Sequence, residues 1–149
     1  GGLAAGAPRR IALIALLLIA SACATARPDE PVAAMRGWLD ALNALDETRV
    51  VAAFAEDATA FFPTATAERV DGRDAIAAVF HEYFKGNTKK TNIVPEDLRV
   101  QRSGDVAAIT FNVHNPSAVA RRTFVWRRGA GGWRIVHLHA SNTPLKPVA

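Results

Sequence analysis

Cysteine is almost absent from this chain of 149 residues, which contains Cys23 and no other. The remainder of the sequence therefore cannot form an intramolecular disulfide, and a secreted domain of this size has to be held by core packing or by oligomerisation. Half of the residues are apolar, which is enough for a single core. The length corresponds to one domain, and no internal repeat with a period of about 20–50 residues is present.

An excess of charge of one sign is also lacking. The net charge is +4, and without the residues before Cys23 there are sixteen basic against fourteen acidic residues. The basic residues are scattered, whereas a nucleic-acid-binding surface needs a concentrated basic patch, so we expect no nucleic-acid partner. The sequence also contains no Ser-His-Asp arrangement, phosphate-binding loop or nucleotide fingerprint, and we expect no cofactor.

A targeting segment is predicted at the N-terminus. Arg9 and Arg10 precede the apolar run Ile-Ala-Leu-Ile-Ala-Leu-Leu-Leu-Ile-Ala at residues 11–20, and small residues follow. This order is typical of a signal peptide, so we assign residues 1–26 to a leader with its tether and residues 27–149 to the exported domain. The run is too short for a helix to cross a bilayer core of about 30 Å comfortably. We therefore expect an exported, periplasmic protein without a transmembrane span.

Two cleavage sites are consistent with this leader. Residues 20–23, Ala-Ser-Ala-Cys, resemble a lipoprotein box, in which Cys23 is lipid-modified and becomes the new N-terminus. Ala20 departs from the leucine that is usual there. Residues 24–26, Ala-Thr-Ala, form an ordinary signal-peptidase site that would release a soluble protein. We favour the lipid anchor, because a single cysteine directly after the apolar run has no other evident purpose.

The hydrophobic periodicity predicts helices followed by strands. Apolar residues at three- and four-residue spacing indicate a helix over 31–44, a short helix capped by Asp46 and a third helix over 73–85. Alternating patterns bounded by turn residues predict strands near 58–62, 96–102, 105–114, 120–128 and 133–140. This order indicates an α+β fold, in which helices cover one side of a curved, mainly antiparallel sheet.

The register of the last hairpin decides which side chains face the helices. If Ala130 and Gly131 form a two-residue turn, Phe124 opposes His137 and Arg122 opposes His139, and directly opposed residues share a face. The more apolar face, which we expect the helices to cover, carries Arg122, Phe124, Trp126, Trp133, Ile135, His137 and His139. A shift of one residue would turn both histidines to the outer face.

The opposite face of this hairpin is partly apolar, and no predicted helix remains to cover it. It carries Thr123, Val125, Arg127, Arg134, Val136, Leu138 and Ala140. Such a face usually packs against another subunit or stays partly exposed to solvent. We therefore expect a homodimer or a larger homo-oligomer that assembles through the sheet.

The end of the chain resembles a known family. Thr-Phe-Val-Trp at 123–126 and Trp-Arg-Ile-Val-His-Leu-His at 133–139, followed by Ala-Ser, are similar to the closing hairpin of SnoaL-like domains. They are especially similar to the association domain of calcium/calmodulin-dependent protein kinase II. Ala-Thr-Ala-Phe-Phe-Pro at 58–63 and Val-Asp-Gly at 70–72 match the middle of the same family. The resemblance covers roughly residues 33–143.

This resemblance implies a nuclear-transport-factor-2-like cone, in which three helices pack on a strongly bent sheet with a pocket between them. It also implies dimerisation through the outer sheet face. The sequence departs from the kinase domain at Phe124 and Ala140, where that domain has arginines, so its charged pocket is not implied. Family members include isomerases, dehydratases, polyketide cyclases and proteins that only bind or assemble, so the fold does not decide the function.

Several polar residues are candidates for chemistry in the pocket. His137 and His139 alternate on one strand, and either imidazole is suited to act as a catalytic base or acid near neutral pH. Alternatively, they are structural residues of the family. The guanidinium of Arg122 is suited to bind a carboxylate through two hydrogen bonds, unless it is a solvated arginine at the end of a strand. Asp57 is the nearest match to a steroid-isomerase base, although an acid there more often caps a turn.

The remaining expectations concern lining and metals. The predicted aromatic lining of the pocket, which is alternatively plain core, comprises Trp38, Phe61, Tyr83, Phe124 and Trp126. Metal binding is not expected, because His81 and His114 lie on other elements and no ligand spacing supports coordination.

Two functions follow from these observations. The first is an exported protein that binds a small organic ligand, with a carboxylate as the group for Arg122, and self-associates through its sheet. The alternative is a cofactor-independent isomerase or hydro-lyase with His137 or His139 as general base, which needs a second polar group within about 3 Å of the reacting atom. The scarcity of acids expected in the pocket favours binding. A register that turns His137 outward would remove the pocket assignment and the acid-binding hypothesis together.

Overall fold

The computed structural model describes residues 1–2, 30–64 and 67–145. The predicted leader spans residues 1–26, of which all but the first two, including Cys23 and both cleavage sites, lie outside the described residues; it stays a prediction. Within the described ranges, no helix is long and apolar enough to cross a membrane.

Three helices precede most of the sheet. Helix α1 spans Pro31–Asn43, α2 spans Glu47–Ala52 and α3 spans Arg73–Gly86. Proline suits the first turn of α1 because its ring fixes a helical φ and its missing N–H has no partner there anyway. Asp46 caps α2 by accepting a hydrogen bond of 3.1 Å from the backbone N–H of Arg49. The three predicted helices are confirmed, and the predicted ends of α1 and α3 differ from the observed ends by one residue at most.

Six strands form one sheet. They are β1 (Phe54–Phe61), β2 (Val70–Asp71), β3 (Glu96–Ser103), β4 (Val106–Asn115), β5 (Ala118–Gly129) and β6 (Gly132–Pro144). Their order is β2-β1-β6-β5-β4-β3. Strand β1 runs parallel to β6, and the other neighbouring pairs are antiparallel. The α+β prediction is confirmed. Strand β1 begins four residues earlier than predicted, and the two-residue strand β2 was not predicted.

The core fills the space between the helices and one face of the sheet. Helix α1 buries Met35, Trp38 and Leu39, and the sheet contributes fully buried side chains such as Phe54 and Ile109. Burying one such side chain stabilises a fold by about 1.5–3 kcal/mol. The helix-covered face of the sheet is therefore fixed by many apolar contacts, and it also forms one wall of the site described below.

A β-bulge changes the predicted register of the last hairpin. Near the turn the pairing is as expected, with Trp126 opposite Ile135. The register then shifts, so that Phe124 opposes Leu138 and Arg122 opposes Ala140. A bulge inserts one extra residue into one strand and so exchanges the two faces beyond it. The expected pairs of Phe124 with His137 and of Arg122 with His139 are therefore wrong.

The bulge has a simple energetic reason. It turns Leu138 and Ala140 into the core, where they are 2% and 6% exposed, and it turns His137 and His139 to the outer face. Burying a leucine is favourable, whereas an imidazole needs a hydrogen-bond partner when it is buried. The partly apolar outer face that we predicted thus loses Leu138 and Ala140, which is a correction to the surface expected for self-association.

Candidate functional site

A cavity of about 530 Å³ lies between the helices and the sheet, within the size range of small-molecule sites. Its apolar walls come from α1, α3 and the strands, and include Trp38, Leu39, Phe80, Phe111, Phe124 and Leu138. Its exposed rim carries Pro63, Thr64, Glu82, Asn115 and Asn142. The cavity is therefore an apolar chamber with a polar mouth.

Aromatic rings form one end of the chamber. The Trp38 and Phe124 rings meet edge to face at 4.9 Å between centroids, and the Phe111 and Phe124 rings stack at 5.9 Å. Trp38 is fixed by a hydrogen bond of 3.2 Å from its indole N–H to the carbonyl of Val50. These contacts give the chamber a rigid wall that accepts a flat apolar group.

The sheet places Arg122 beside small residues. Alternate residues of a strand face the same side, so Ala120, Arg122 and Phe124 of β5 all point towards the helices. Across the ladder, Arg122 stands between Phe111 on β4 and Ala140 on β6. Because alanine side chains are short, space remains next to the guanidinium in the cavity.

The guanidinium of Arg122 is held from one side only. Its Nη1 lies 2.9 Å from the carbonyl oxygen of Arg121, 3.0 Å from that of Ser141 and 3.3 Å from Oδ1 of Asn142. Nε and Nη2 make no hydrogen bond to any described residue, and no described carboxylate pairs with this arginine. Burial lowers the pKa of Arg122, and the nearby Tyr83 phenol partly opposes that effect.

The other polar groups at the cavity are engaged or lie at its mouth. Glu82 pairs with Lys85 at 3.2 Å. The side-chain oxygen of Asn115 accepts hydrogen bonds from the turn that joins β4 to β5, including one of 2.8 Å from the N–H of Ala118. The Tyr83 hydroxyl has no hydrogen-bond partner among the described residues. The groups left for a ligand are therefore one edge of Arg122 and the Tyr83 hydroxyl.

Four of the predicted lining residues stand on the cavity wall, namely Trp38, Tyr83, Arg122 and Phe124. Two others do not. Phe61 points to the outer face, is 36% exposed and packs edge-on against His137, while its neighbour Phe62 lines the cavity instead. Trp126 lies in the core beside a shallower groove of about 290 Å³. The placement of Phe61 and Trp126 in the pocket is therefore wrong.

The two histidines lie on the other side of the sheet. Nδ1 of His137 is 2.7 Å from Oγ1 of Thr59 on β1, and His139 is exposed beside the Phe61 ring at 5.4 Å. Burial, followed by the charges of His139 and Arg69, lowers the pKa of His137. Neither imidazole reaches the cavity, so the predicted placement of these residues as pocket bases is wrong.

Asp57 is also outside the cavity. It forms a surface ion pair of 3.0 Å with Arg127, and this arginine lowers the pKa of the carboxyl. An exposed carboxylate paired with an arginine is poorly suited to be a base in an apolar chamber. His81 and His114 each contact a glutamate at 3.1 Å on separate elements. Over residues 30–64 and 67–145, no three His, Cys, Asp or Glu side chains are grouped to hold a metal.

Sequence reasoning missed the residues that hold Arg122 and complete the wall, namely Phe62, Ile93, Leu138, Ala140, Ser141 and Asn142. Those on β6 were assigned to the wrong face or left out because a regular register was assumed; the signal that could have found them is the change of apolar phase from Ile135 to Leu138 and Ala140. The acid-binding hypothesis was linked to an inward-facing His137, but the position of Arg122 does not depend on that of His137. Arg122 belongs to β5, and the bulge lies in β6.

Comparison with known proteins gives a family. The sequence matches the model of the SnoaL-like domain over residues 32–146, and it matches no curated protein. Among solved structures it is similar to a candidate calcium/calmodulin-dependent protein kinase type II association domain from Thiobacillus denitrificans, with 25% identity over 78% of this chain and 95% of that one, and a TM-score of 0.65.

Two further structures share the fold. One is a ketosteroid isomerase-like protein from Erwinia carotovora atroseptica, with 22% identity over 78% of this chain and 94% of that one, and a TM-score of 0.62. The other is a candidate dehydratase of the nuclear-transport-factor-2-like family from Streptomyces avermitilis, with 17% identity over 75% and 93%, and a TM-score of 0.64. The chain therefore belongs to the SnoaL-like domain family and has the nuclear-transport-factor-2-like fold.

Proposed function

We propose that this protein binds a small organic molecule with a carboxylate group in the cavity between its helices and its sheet. The observation that carries the proposal is the one-sided anchoring of Arg122. Nη1 is taken by three oxygens of the protein, and the Nε–Nη2 edge is left without a partner among the described residues. A carboxylate accepts two parallel hydrogen bonds from such an edge.

The rest of the cavity supports an apolar body for this ligand. Its walls are aliphatic and aromatic, and Phe124 lies one inward-facing position from Arg122 on the same strand, a spacing of about 6.7 Å. A carboxylate on Arg122 therefore places a ring or alkyl group against Phe124 and Trp38. The negative charge of the ligand also neutralises the partly buried guanidinium of Arg122, which pairs with no described carboxylate.

A cofactor-independent isomerase or hydro-lyase is the second candidate. It is supported by the names of two similar structures, one ketosteroid isomerase-like and one a candidate dehydratase. Since His137 and His139 lie on the outer face and Glu82 is at the mouth, the proton-transfer group left inside the cavity is the hydroxyl of Tyr83, which lies near enough to Arg122 to affect the pKa of that guanidinium. This candidate requires that the reacting atom of a bound substrate lie about 3 Å from that hydroxyl.

Export and self-association complete the proposal. The leader would direct the domain to the periplasm, either anchored through a lipid on Cys23 or released as a soluble protein. The outer sheet face, with Thr59, Val125 and His137 half-buried, would pair with a second copy. Sedimentation at micromolar concentration tests the pairing, for which we expect a dimer or a larger assembly; a monomer would contradict it.

Calorimetric titration tests the binding site. The probes are 1-naphthoate and its neutral amide, 1-naphthamide, which share one ring system. Arg122→Gln should weaken binding of the carboxylate about ten- to hundredfold, because a hydrogen bond to a charged group contributes about 1.5–3 kcal/mol. The same substitution should leave the affinity for the amide nearly unchanged. An equal loss for both probes would contradict the assigned role of the guanidinium.

The adjacent Arg121 provides the matched control. It precedes Arg122 in β5, is exposed on the outer face and bonds the Ser141 hydroxyl at 3.2 Å. Arg121→Gln removes the same charge from the same strand without touching the cavity. We expect wild-type affinity for both probes, so a loss in this variant would indicate a long-range effect of charge instead of a contact.

A further inference from the structure

One wall of the cavity is built without a helix or a strand. Residues 87–95, which we call the strap, join α3 to β3 and contain no regular secondary structure. Ile93 of the strap lines the cavity, while Lys89 and Lys90 are exposed to solvent. The helices and the sheet are locked by the core, so the strap is one of the few parts of the wall that can move by itself.

The strap is fastened to the rest of the protein through a single residue. Oδ1 of Asn43, at the end of α1, accepts hydrogen bonds from the N–H of Ile93 at 2.8 Å and from the hydroxyl of Thr91 at 3.0 Å. Nδ2 of Asn43 donates to the carbonyl of Ile93 at 3.2 Å, and its backbone carbonyl accepts from the N–H of Thr91 at 3.2 Å. No other described residue hydrogen-bonds residues 88–94.

Both ends of the strap are held, so any movement is confined to the residues between them. At one end, the side chain of Asn87 donates a hydrogen bond of 2.7 Å to the carbonyl of Tyr83 and so stays with α3. At the other end, Pro95 directly precedes β3, and its ring restricts the chain there. Opening between these points removes Ile93 from the wall, while Val94 is already 55% exposed. Ile93 is half-buried against the core, so it is the strap residue whose apolar contacts the opening has to break.

We propose that the strap is a movable wall that opens to exchange the cavity ligand, and that Asn43 is the latch that holds it closed. The inference rests on the proposed binding function for the ligand, although the latch itself is a property of the free protein. Local opening of a loop is a common way to widen the route by which ligands enter and leave a cavity. The latch also couples the wall to α1, whose Leu39 and Leu42 line the same cavity.

Hydrogen exchange of the free, full-length protein tests the latch. Asn43→Leu removes the three side-chain hydrogen bonds and keeps the side-chain volume. The amide of Thr91, whose acceptor is the backbone carbonyl of Asn43 and is kept in this variant, should then exchange at least about tenfold faster, because opening no longer breaks the side-chain bonds. Asn92→Ala is the matched control, since Asn92 is exposed in the same strap and forms no hydrogen bond with a described residue. Unchanged exchange in Asn43→Leu would overturn the proposal.

Exchange in β5 separates this effect from general destabilisation. If the β5 amides also accelerate by the same factor in Asn43→Leu, the variant has lost global stability. The milder Asn43→Asp then distinguishes the two explanations. It keeps both hydrogen bonds that Oδ1 accepts and loses the one that Nδ2 donates to the carbonyl of Ile93. It should accelerate exchange of the strap alone, and acceleration of strap and β5 together would overturn the latch.

Stopped-flow binding of 1-naphthoate and 1-naphthamide connects the latch to ligand exchange. In Asn43→Leu both association and dissociation should be faster for both probes, by at least about fivefold, whereas Asn92→Ala should match the wild type. If 1-naphthoate fails to bind while 1-naphthamide associates faster in Asn43→Leu, the proposed function is contradicted and the movable wall is supported. Unaltered rates for a probe that does bind would overturn the movable wall and keep the proposed function.

Discussion

Truncation of Leu138 is the most informative perturbation of the fold, because the bulge in β6 decides the face on which this residue lies. In the bulged register Leu138 is 2% exposed and packs in the core. Leu→Ala substitutions at such positions cost about 2–5 kcal/mol. Since Leu138 also borders the cavity, the space it leaves adds to a void that already exists. We therefore expect the lower half of that range, about 2–3 kcal/mol.

The matched substitution is His137→Ala, one residue away. Its imidazole is half-buried on the outer face and loses one hydrogen bond, to Thr59, so we expect a cost of about 1 kcal/mol. Urea unfolding of both variants measures the difference. With an m value of about 1.5 kcal/mol/M for a domain of this size, the midpoint should fall by about 1.3–2 M for Leu138→Ala and by less than about 1 M for His137→Ala.

The reverse order would refute the bulge. In a regular register His137 would pack beside Phe124 in the core and Leu138 would lie on the outer face, so the histidine truncation would be the more costly of the two. Leu138→Asp gives a second test of the same point. A buried aspartate should prevent folding, whereas a surface aspartate would leave a folded protein and alter only its self-association.

Three further predictions address other parts of the structure. Because burial, followed by the electrostatic effects of His139 and Arg69, lowers the pKa of His137 below its ordinary 6.5, the unfolded chain takes up this proton first. Stability should therefore be full above about pH 6.5 and fall towards pH 5, with a smaller fall in His137→Gln, as urea midpoints at several pH values would show. Ala140→Leu should fill the space beside Arg122 and weaken 1-naphthoate binding at least tenfold in calorimetry; unchanged affinity would place the ligand elsewhere. Mass spectrometry of the protein made in a Gram-negative host should detect a lipidated Cys23 or a start at Arg27, and an intact chain would contradict export.

Much of the fold was accessible from the sequence because its signals are periodic and local. The apolar spacing of α1 and α3, Asp46 as a cap and the turn at Ala130 and Gly131 all depend on neighbouring residues. Tertiary contacts decide the remainder. The two residues of β2 are too few to show any alternation, and Phe54 opens β1 because the strand pairs with β6 there.

The site was predictable on β5 and misassigned on β6 for the same physical reason. Along β5 the alternation is unbroken, so Arg122 and Phe124 keep the face that the sequence indicated. On β6 the apolar residues change phase after Ile135, from Trp133 and Ile135 to Leu138 and Ala140, so a regular register would bury only one of these two sets, whereas a bulge buries both. The choice is made by packing, which prefers Leu138 in the core and leaves His137 to bond Thr59.

The proposal also explains a feature that the fold alone does not require. A partly buried arginine without a described carboxylate partner is costly for a domain, and three protein oxygens are arranged on one side of it to keep it in place. A structural role would be served as well by an apolar residue at this position, which is surrounded by Phe111 and Ala140. Binding of an anionic ligand would account for this arrangement, because the ligand would neutralise the charge of the guanidinium.

Nuclear magnetic resonance of the arginine Nε–H groups tests the central claim most directly, because it observes the unpaired edge of Arg122 itself. The Arg122 signal is assigned by its loss in Arg122→Gln, and 1-naphthoate is then titrated into the wild-type protein. We predict a saturable shift of the Arg122 Nε–H signal, with the Arg121 signal unmoved and with 1-naphthamide causing no comparable change. Saturable binding of 1-naphthoate that leaves the Arg122 signal in place would contradict the account.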